Sequence, residues 1–145
     1  MVKHYSAENQ LLEDWINQAS DDLRTAKDYI DKDENYARKN VCYHSHQAIE
    51  KYLKAYLIAN KVDFPDSHDL ERLRGMCEKI DSSFSEVNSL NLRKLTGFAS
   101  NVRYPQLEHE RREISREDAK EAYSSAVQIN DFVLKRIKEI KKQPD

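Results

Sequence analysis

The chain has 145 residues and a formal net charge of −2, with 34% of its residues charged and 39% hydrophobic. This length favours one domain, residues 1–145, with a single hydrophobic core over about residues 7–142. Only two glycines and three prolines are present, which is typical of a nearly all-helical protein with few turns. The slightly negative charge does not support attraction to nucleic acid over the whole surface, so such binding needs a local basic patch.

Several kinds of site and location find no support in the sequence. Cys42 and Cys77 form no closely spaced pair, which argues against a disulfide scaffold and a zinc finger. Histidines spaced as His-x-x-x-His are absent, and neither a metal site nor a cofactor is predicted. Residues 1–6 lack the apolar run of a signal peptide, and no stretch approaches the roughly 20 apolar residues of a membrane span. The expectation is a cytoplasmic protein without membrane contact.

Helical spacing of apolar residues predicts two long helices in the first half of the chain. The first spans residues 7–29 and is followed by a polar connector at 31–35. The second spans residues 36–60 and is the most strongly patterned. The apolar face of the first helix consists of Leu12, Trp15, Ala19, Leu23, Ala26 and Ile30. The centre of the apolar face of the second helix consists of Val41, Ser45, Ala48, Tyr52 and Tyr56, and Ile49, Leu53 and Leu57 widen it.

The second half of the chain predicts three further helices. A third helix is capped by Asp66 or Ser67 and ends near Lys79. A fourth spans residues 90–102, and a polar segment over 103–115 follows because Pro105 does not fit inside a helix. A fifth is capped by Ser115 with Asp118 three residues on. Its apolar side consists of Ala119, Ala122, Ala126, Ile129, Val133, Ile137 and Ile140. The predicted fold is therefore all-α, an up-and-down bundle of four to five helices with a short helical insertion.

Arg103 and His109, at the break between the fourth and fifth helices, are the main catalytic candidates. A guanidinium can hold a phosphate with its forked donors, and an imidazole can move a proton near neutral pH. These two groups suffice for metal-independent cleavage of RNA at a 2′-hydroxyl. The alternative is an arginine that ends a helix and a solvated loop histidine.

The polar side of the second helix is a candidate surface for a nucleotide or RNA. At about 100° per residue, one stripe opposite the apolar face consists of His44, Gln47, Lys51 and Lys54. These donors suit a phosphate or an RNA backbone. The alternative is a solvated helix face with Glu50 and Lys54 as a surface pair.

Other histidines and the tyrosines favour structural roles. His46 lies at the edge of the apolar arc, as expected of a histidine in a core or an interface. The sequence His68-Asp69-Leu70 is suited to capping and orienting the third helix. Tyr52 and Tyr56 can stack nucleobases, but their helical spacing favours packing in a core or dimer interface.

Ordered motifs along the chain resemble a known family. Residues 42–55 read CYHSHQAIEKYLKA, the third helix opens with His68-Asp69-Leu70, and the fourth ends in Arg103-Tyr104-Pro105. Trp15, Ala19, Asp22, Leu23 and Ala26 precede these motifs in the first helix. Together, over about residues 14–138, they resemble a HEPN domain (higher eukaryotes and prokaryotes nucleotide-binding).

The resemblance implies a helical bundle that forms a homodimer and engages RNA or nucleotides. Many members are metal-independent endoribonucleases with an arginine, four to six residues and then a histidine, and Arg103 and His109 have five residues between them. Many are toxins paired with a minimal nucleotidyltransferase. With Tyr104, the stripe on the second helix completes the predicted set for binding nucleotide or RNA. One variant carries a tyrosine two residues after the histidine, which the transferase modifies with AMP, but Arg111 stands there.

The resemblance also leaves a second function open. Some members have lost the catalytic pair and only bind nucleotides or partners. The alternative is therefore a non-catalytic module in which the polar stripe docks a nucleotide or a nucleotidyltransferase and His109 takes no part.

Overall fold

A computed structural model describes residues 2–87, 89–103 and 113–142 of the protein, with side chains for 9–87, 91–99 and 113–142. Over these ranges the regular structure is entirely helical. It consists of α1 (Val2–Tyr29), α2 (Asn35–Ala59), α3 (Leu70–Ile80), a 3₁₀ helix (Ser82–Glu86), α4 (Ser89–Arg103) and α5 (Arg116–Lys142). The all-α helical bundle predicted from the sequence is confirmed.

Helix α2 lies at the centre of the bundle and packs against α1, α3, α4 and α5. Ile49, Leu53 and Leu57, which widen the predicted apolar face, are as inaccessible as its centre. Tyr52 and Tyr56 are also buried, and the Tyr52 hydroxyl lies 3.1 Å from Ser20 Oγ in α1. Both tyrosines pack in the core of the bundle and are therefore not available to stack on nucleobases.

The N-terminal cap of α3 differs from the predicted one. Asp69 caps α3, because its carboxylate accepts hydrogen bonds from the backbone N–H groups of Glu71 and Arg72. The predicted cap at Asp66 or Ser67 is wrong, and Ser67 instead accepts a hydrogen bond from the Asp69 N–H. The backbone of Asp69 is extended, and α3 begins at the next residue.

The start of α5 has the predicted capping box. Ser115 Oγ accepts a hydrogen bond from the Asp118 N–H at 3.0 Å, and the Asp118 carboxylate accepts one from the Ser115 N–H at 3.1 Å. Each side chain thereby satisfies a backbone donor that the first turn of a helix leaves unpaired. The box fixes the point at which the α4–α5 connection ends.

Helix α1 begins at Val2, five residues before the predicted start. The prediction followed the first apolar residues of the pattern, but residues 2–6 contain no glycine or proline that would stop a helix. Along the described ranges, no helix has both the length and the apolar character needed to cross a membrane.

Candidate functional site

Arg103 is the last residue of α4, and the α4–α5 connection follows it. The Arg103 side chain, Tyr104 and His109 lie outside the described residues. The Arg103–His109 pair therefore stays a prediction, with its arginine on a helix end and its histidine between α4 and α5.

One cluster of charged side chains joins α1 to α2. Asp22 of α1 contacts two members of the predicted stripe, with its Oδ1 2.9 Å from His44 Nδ1 and its Oδ2 2.6 Å from Lys51 Nζ. All three side chains are largely but not fully buried. Lys51 and Asp22 neutralise each other, so this part of α2 presents less positive charge than its sequence suggests.

A second cluster is buried at the junction of α2 and α3. Lys54 Nζ lies 3.0 Å from Glu50 Oε2, and only 4% of Lys54 and 5% of Glu50 are exposed. The ammonium group also lies 5.8 Å from the centre of the Trp15 ring and 5.5 Å from that of Phe64. Aromatic faces attract a cation and so stabilise the buried lysine.

The carboxylate of Glu50 keeps its charge despite burial. Desolvation by itself would raise the pKa of Glu50, but hydrogen bonds from His68 and Lys54 and the nearby charge of Lys54 outweigh it. The pKa of Glu50 consequently lies below its ordinary value. Glu50 is thus a buried anion with a buried cation on one oxygen.

Two histidines complete the second cluster. His68 Nδ1 lies 2.9 Å from Glu50 Oε1, and the backbone oxygen of His68 lies 2.9 Å from His46 Nε2. His46 is buried, as expected of a core histidine, and its Nδ1 lies 3.4 Å from Gln47 Oε1. The imidazole of His68 reaches the surface, with 53% of its side chain exposed.

These contacts change how the polar stripe of α2 is interpreted. Lys54 is buried, so the alternative of a solvated face with a surface Glu50–Lys54 pair does not hold at that position. The pair itself forms at the spacing that the sequence indicated. Binding of nucleotide or RNA by His44, Gln47, Lys51 and Lys54 stays a prediction.

The site residues predicted from the sequence do not include Asp22 and Glu50. Each carboxylate holds one lysine and one histidine, and together they determine where four polar side chains of this region point. The spacing of Glu50 and Lys54 gave a signal for one ion pair. Nothing in the sequence indicated that Asp22, in another helix, would meet His44 and Lys51.

A separate groove of about 550 Å³ lies between the 3₁₀ helix, α4 and α5. Its floor contains Leu92, Ile129 and Phe132. At one edge the Arg136 guanidinium stacks on the Phe132 ring at 3.3 Å. None of the predicted site residues is among the described residues that line it.

The described residues also bear on metal and thiol chemistry. Among them, no group of three or more His, Cys, Asp or Glu side chains is arranged to hold a metal ion. Cys42 and Cys77 are buried, and burial raises the pKa of each thiol to about 12. Buried thiols with such pKa values are poor nucleophiles near neutral pH.

Comparison with known proteins supports the resemblance noted in the sequence. The family model described as the HEPN domain matches residues 12–138. Among solved structures, that of an archaeal HEPN homologue matches with a TM-score of 0.62 and 24% sequence identity, covering 87% of this chain and 97% of that one. No curated protein matches at a significant level.

Proposed function

Since the chain belongs to the HEPN domain family, and is thus a nucleotide- or RNA-related helical module, we propose that it is a metal-independent endoribonuclease. The observation that carries the proposal is the position of the Arg-x₅-His sequence. Arg103 ends α4, and His109 follows in the connection that the Ser115 capping box closes. A guanidinium on a helix end and an imidazole in the next connection suit a phosphodiester substrate.

The proposed reaction is internal transesterification of RNA. Arg103 binds the scissile phosphate and stabilises the negative charge that grows on its oxygens. His109 transfers a proton, either from the 2′-hydroxyl or to the leaving 5′-oxygen. The P–O2′ bond forms and the P–O5′ bond breaks, which yields a 2′,3′-cyclic phosphate and a 5′-hydroxyl. No step consumes water, a metal ion or a redox equivalent.

The proposal extends to partners. Two copies of the chain form a homodimer in which two Arg103–His109 pairs flank a shared cleft. The protein acts as the toxin of a pair, and a minimal nucleotidyltransferase restrains it. Mass measurement in solution tests the dimer, and co-purification with a transferase encoded by a neighbouring gene tests the pair.

RNA cleavage in EDTA tests the catalytic proposal. We expect the parent protein to cut RNA and leave cyclic phosphate ends. Arg103→Ala and His109→Ala should each lower the rate by at least about 100-fold, as loss of a charge-stabilising or proton-transferring group does. Arg93→Ala, which removes an exposed arginine from the same helix, and Gln106→Ala are the matched controls.

A second candidate function is a non-catalytic module that binds a nucleotide or a nucleotidyltransferase. The observation that favours it is that two lysines of α2 already form ion pairs within the protein. Lys51 pairs with Asp22 of α1, and Lys54 pairs with Glu50. Ion-paired lysines contribute less to binding of an RNA backbone than free ones. A parent protein that leaves RNA intact but binds a transferase would favour this function over the ribonuclease.

A further inference from the structure

The ring of His68 is oriented by a buried carboxylate. Glu50 Oε1 lies 2.9 Å from His68 Nδ1, and the other oxygen of Glu50 is occupied by Lys54. An ionised carboxylate only accepts hydrogen bonds, so Nδ1 of His68 carries the hydrogen. In the neutral ring the lone pair then lies on Nε2, the nitrogen that is free to take a proton. Glu50 therefore selects the tautomer that can act as a base.

The backbone on either side of the His68 ring is fixed as well. The His68 carbonyl accepts a hydrogen bond from the buried His46 at 2.9 Å. The next residue, Asp69, caps α3 through two backbone N–H groups. More than half of the His68 side chain is nevertheless exposed. A half-exposed imidazole is thus held at its ring, at its carbonyl and at the following residue, an arrangement that suits a group acting on a substrate.

His68 lies beside the helix that ends in Arg103. The Leu70 N–H, two residues after His68, donates to Thr96 Oγ1 of α4 at 3.4 Å. Thr96 precedes Arg103 by seven residues, which is about 10 Å along a helix axis. This contact places the start of α3 beside α4, about two helical turns before the end of α4.

We propose that His68 is the general base of the RNA cleavage reaction, with Nε2 accepting the proton of the 2′-hydroxyl. The assignment rests on the proposed ribonuclease function and deepens it, because it gives the proton-accepting role to a residue outside the Arg-x₅-His sequence. The substrate class is RNA, since DNA has no 2′-hydroxyl.

The proton and bond changes balance in this assignment. His68 takes the 2′-hydroxyl proton as the P–O2′ bond forms, and the leaving 5′-oxygen takes a proton from the acid of the reaction as the P–O5′ bond breaks. Glu50 stabilises the imidazolium that forms on His68, as a carboxylate does behind a catalytic imidazole. His68 then releases its proton to water and His109, the acid, takes a proton from water, which restores the starting state.

The test is the dependence of the cleavage rate on pH for the parent and three variants. A general base must be neutral, so the parent rate should rise with pH along an acidic limb. His68→Asn places an amide donor near the position of Nδ1 and so keeps a hydrogen bond to Glu50, but it has no group that titrates. We expect this variant to lose at least about 100-fold in rate and to lose the acidic limb.

The second and third variants separate catalysis from structure. Glu50→Gln removes the anion that stabilises the imidazolium, so it should lower the cleavage rate while the acidic limb remains. Asp66→Asn is the control, because Asp66 is exposed on the same connector as His68 and has no role in the proposed site. It should keep the parent profile within about threefold in rate, an effect far below that of losing a general base. Circular dichroism at each pH identifies the conditions under which each variant is folded, and rates are compared only under those conditions.

The outcomes distinguish the two proposals. Loss of the acidic limb in His68→Asn, with the control unchanged, supports the assignment. Cleavage by His68→Asn with the parent profile overturns the assignment and leaves the ribonuclease proposal standing. A fall in the rate of His68→Asn by the same factor at every pH, with the acidic limb retained, also overturns it, since it indicates a structural role. Absence of cleavage by the parent overturns both proposals.

Discussion

Glu50→Gln should destabilise the fold strongly, because it leaves the ammonium group of Lys54 buried without its anion. Lys54 is only 4% exposed, and its ionic partner is Glu50 at 3.0 Å. Removal of one partner from a buried ion pair costs about 3–5 kcal/mol in free energy of unfolding. The rings of Trp15 and Phe64 offset part of this loss, since cation–π attraction contributes about 0.5–2 kcal/mol. We therefore expect a loss of about 3 kcal/mol.

Urea unfolding followed by far-ultraviolet circular dichroism measures this effect. With a slope of about 2 kcal/mol per molar urea, a loss of 3 kcal/mol lowers the midpoint by about 1.5 M. Lys54→Met should destabilise to a similar extent because it leaves Glu50 buried without its lysine, with only the histidines His68 and His46 near its carboxylate in the cluster. The double variant should be no less stable than either single variant, since replacing both charges removes the penalty of an unpaired one.

The less buried Lys51–Asp22 pair provides the matched control for this cycle. Lys51→Met removes a lysine three residues from Lys54 on the same helix, but its ammonium group and its partner are partly exposed. Water can then solvate Asp22, and the expected loss is about 1 kcal/mol. A loss below about 1 kcal/mol in Glu50→Gln, or strictly additive losses in the double variant, would refute the reasoning.

Three further predictions follow from the structure. Asp69→Ala should cost about 1 kcal/mol by urea unfolding, since it removes the cap of α3, whereas Asp66→Ala should change stability by only a few tenths. Cys42 and Cys77 should not react with Ellman's reagent in the native protein at pH 8, and both should react in urea, because burial raises the pKa of each thiol to about 12. The pKa of Glu50 is lowered by folding, so its stabilising contribution is present above its ordinary value of 4.5 and is lost as pH falls through the folded value. Glu50→Gln should therefore lose less stability between pH 5 and 3 than the parent, as acid titration by circular dichroism will show.

The helices could be predicted because their signals are local. The spacing of apolar residues predicted the five α-helices of the described residues. Ser115 with Asp118 correctly predicted where α5 begins. The start of α3 was placed wrongly because several residues before it can cap a helix. Which of them caps the helix depends on the path of the connector, in which Ser67 Oγ accepts a hydrogen bond from the Asp69 N–H.

The polar clusters could not be predicted because they join different helices. Sequence spacing gave the Glu50–Lys54 pair, but the meeting of Asp22 with Lys51 depends on how α1 packs on α2. The burial of Lys54 beneath Trp15 and Phe64 depends on the connector between α2 and α3. For the Arg103–His109 pair, the sequence remains the source of the prediction, and the structure supplies the helix end on which it stands.

Cleavage of RNA in EDTA by the parent and by His109→Ala tests the central claim most directly. The ribonuclease account predicts that the parent produces fragments with 2′,3′-cyclic phosphate and 5′-hydroxyl ends, and that His109→Ala is at least about 100-fold slower. Equal cleavage by the two proteins, or intact RNA after long incubation with the folded parent, would contradict it.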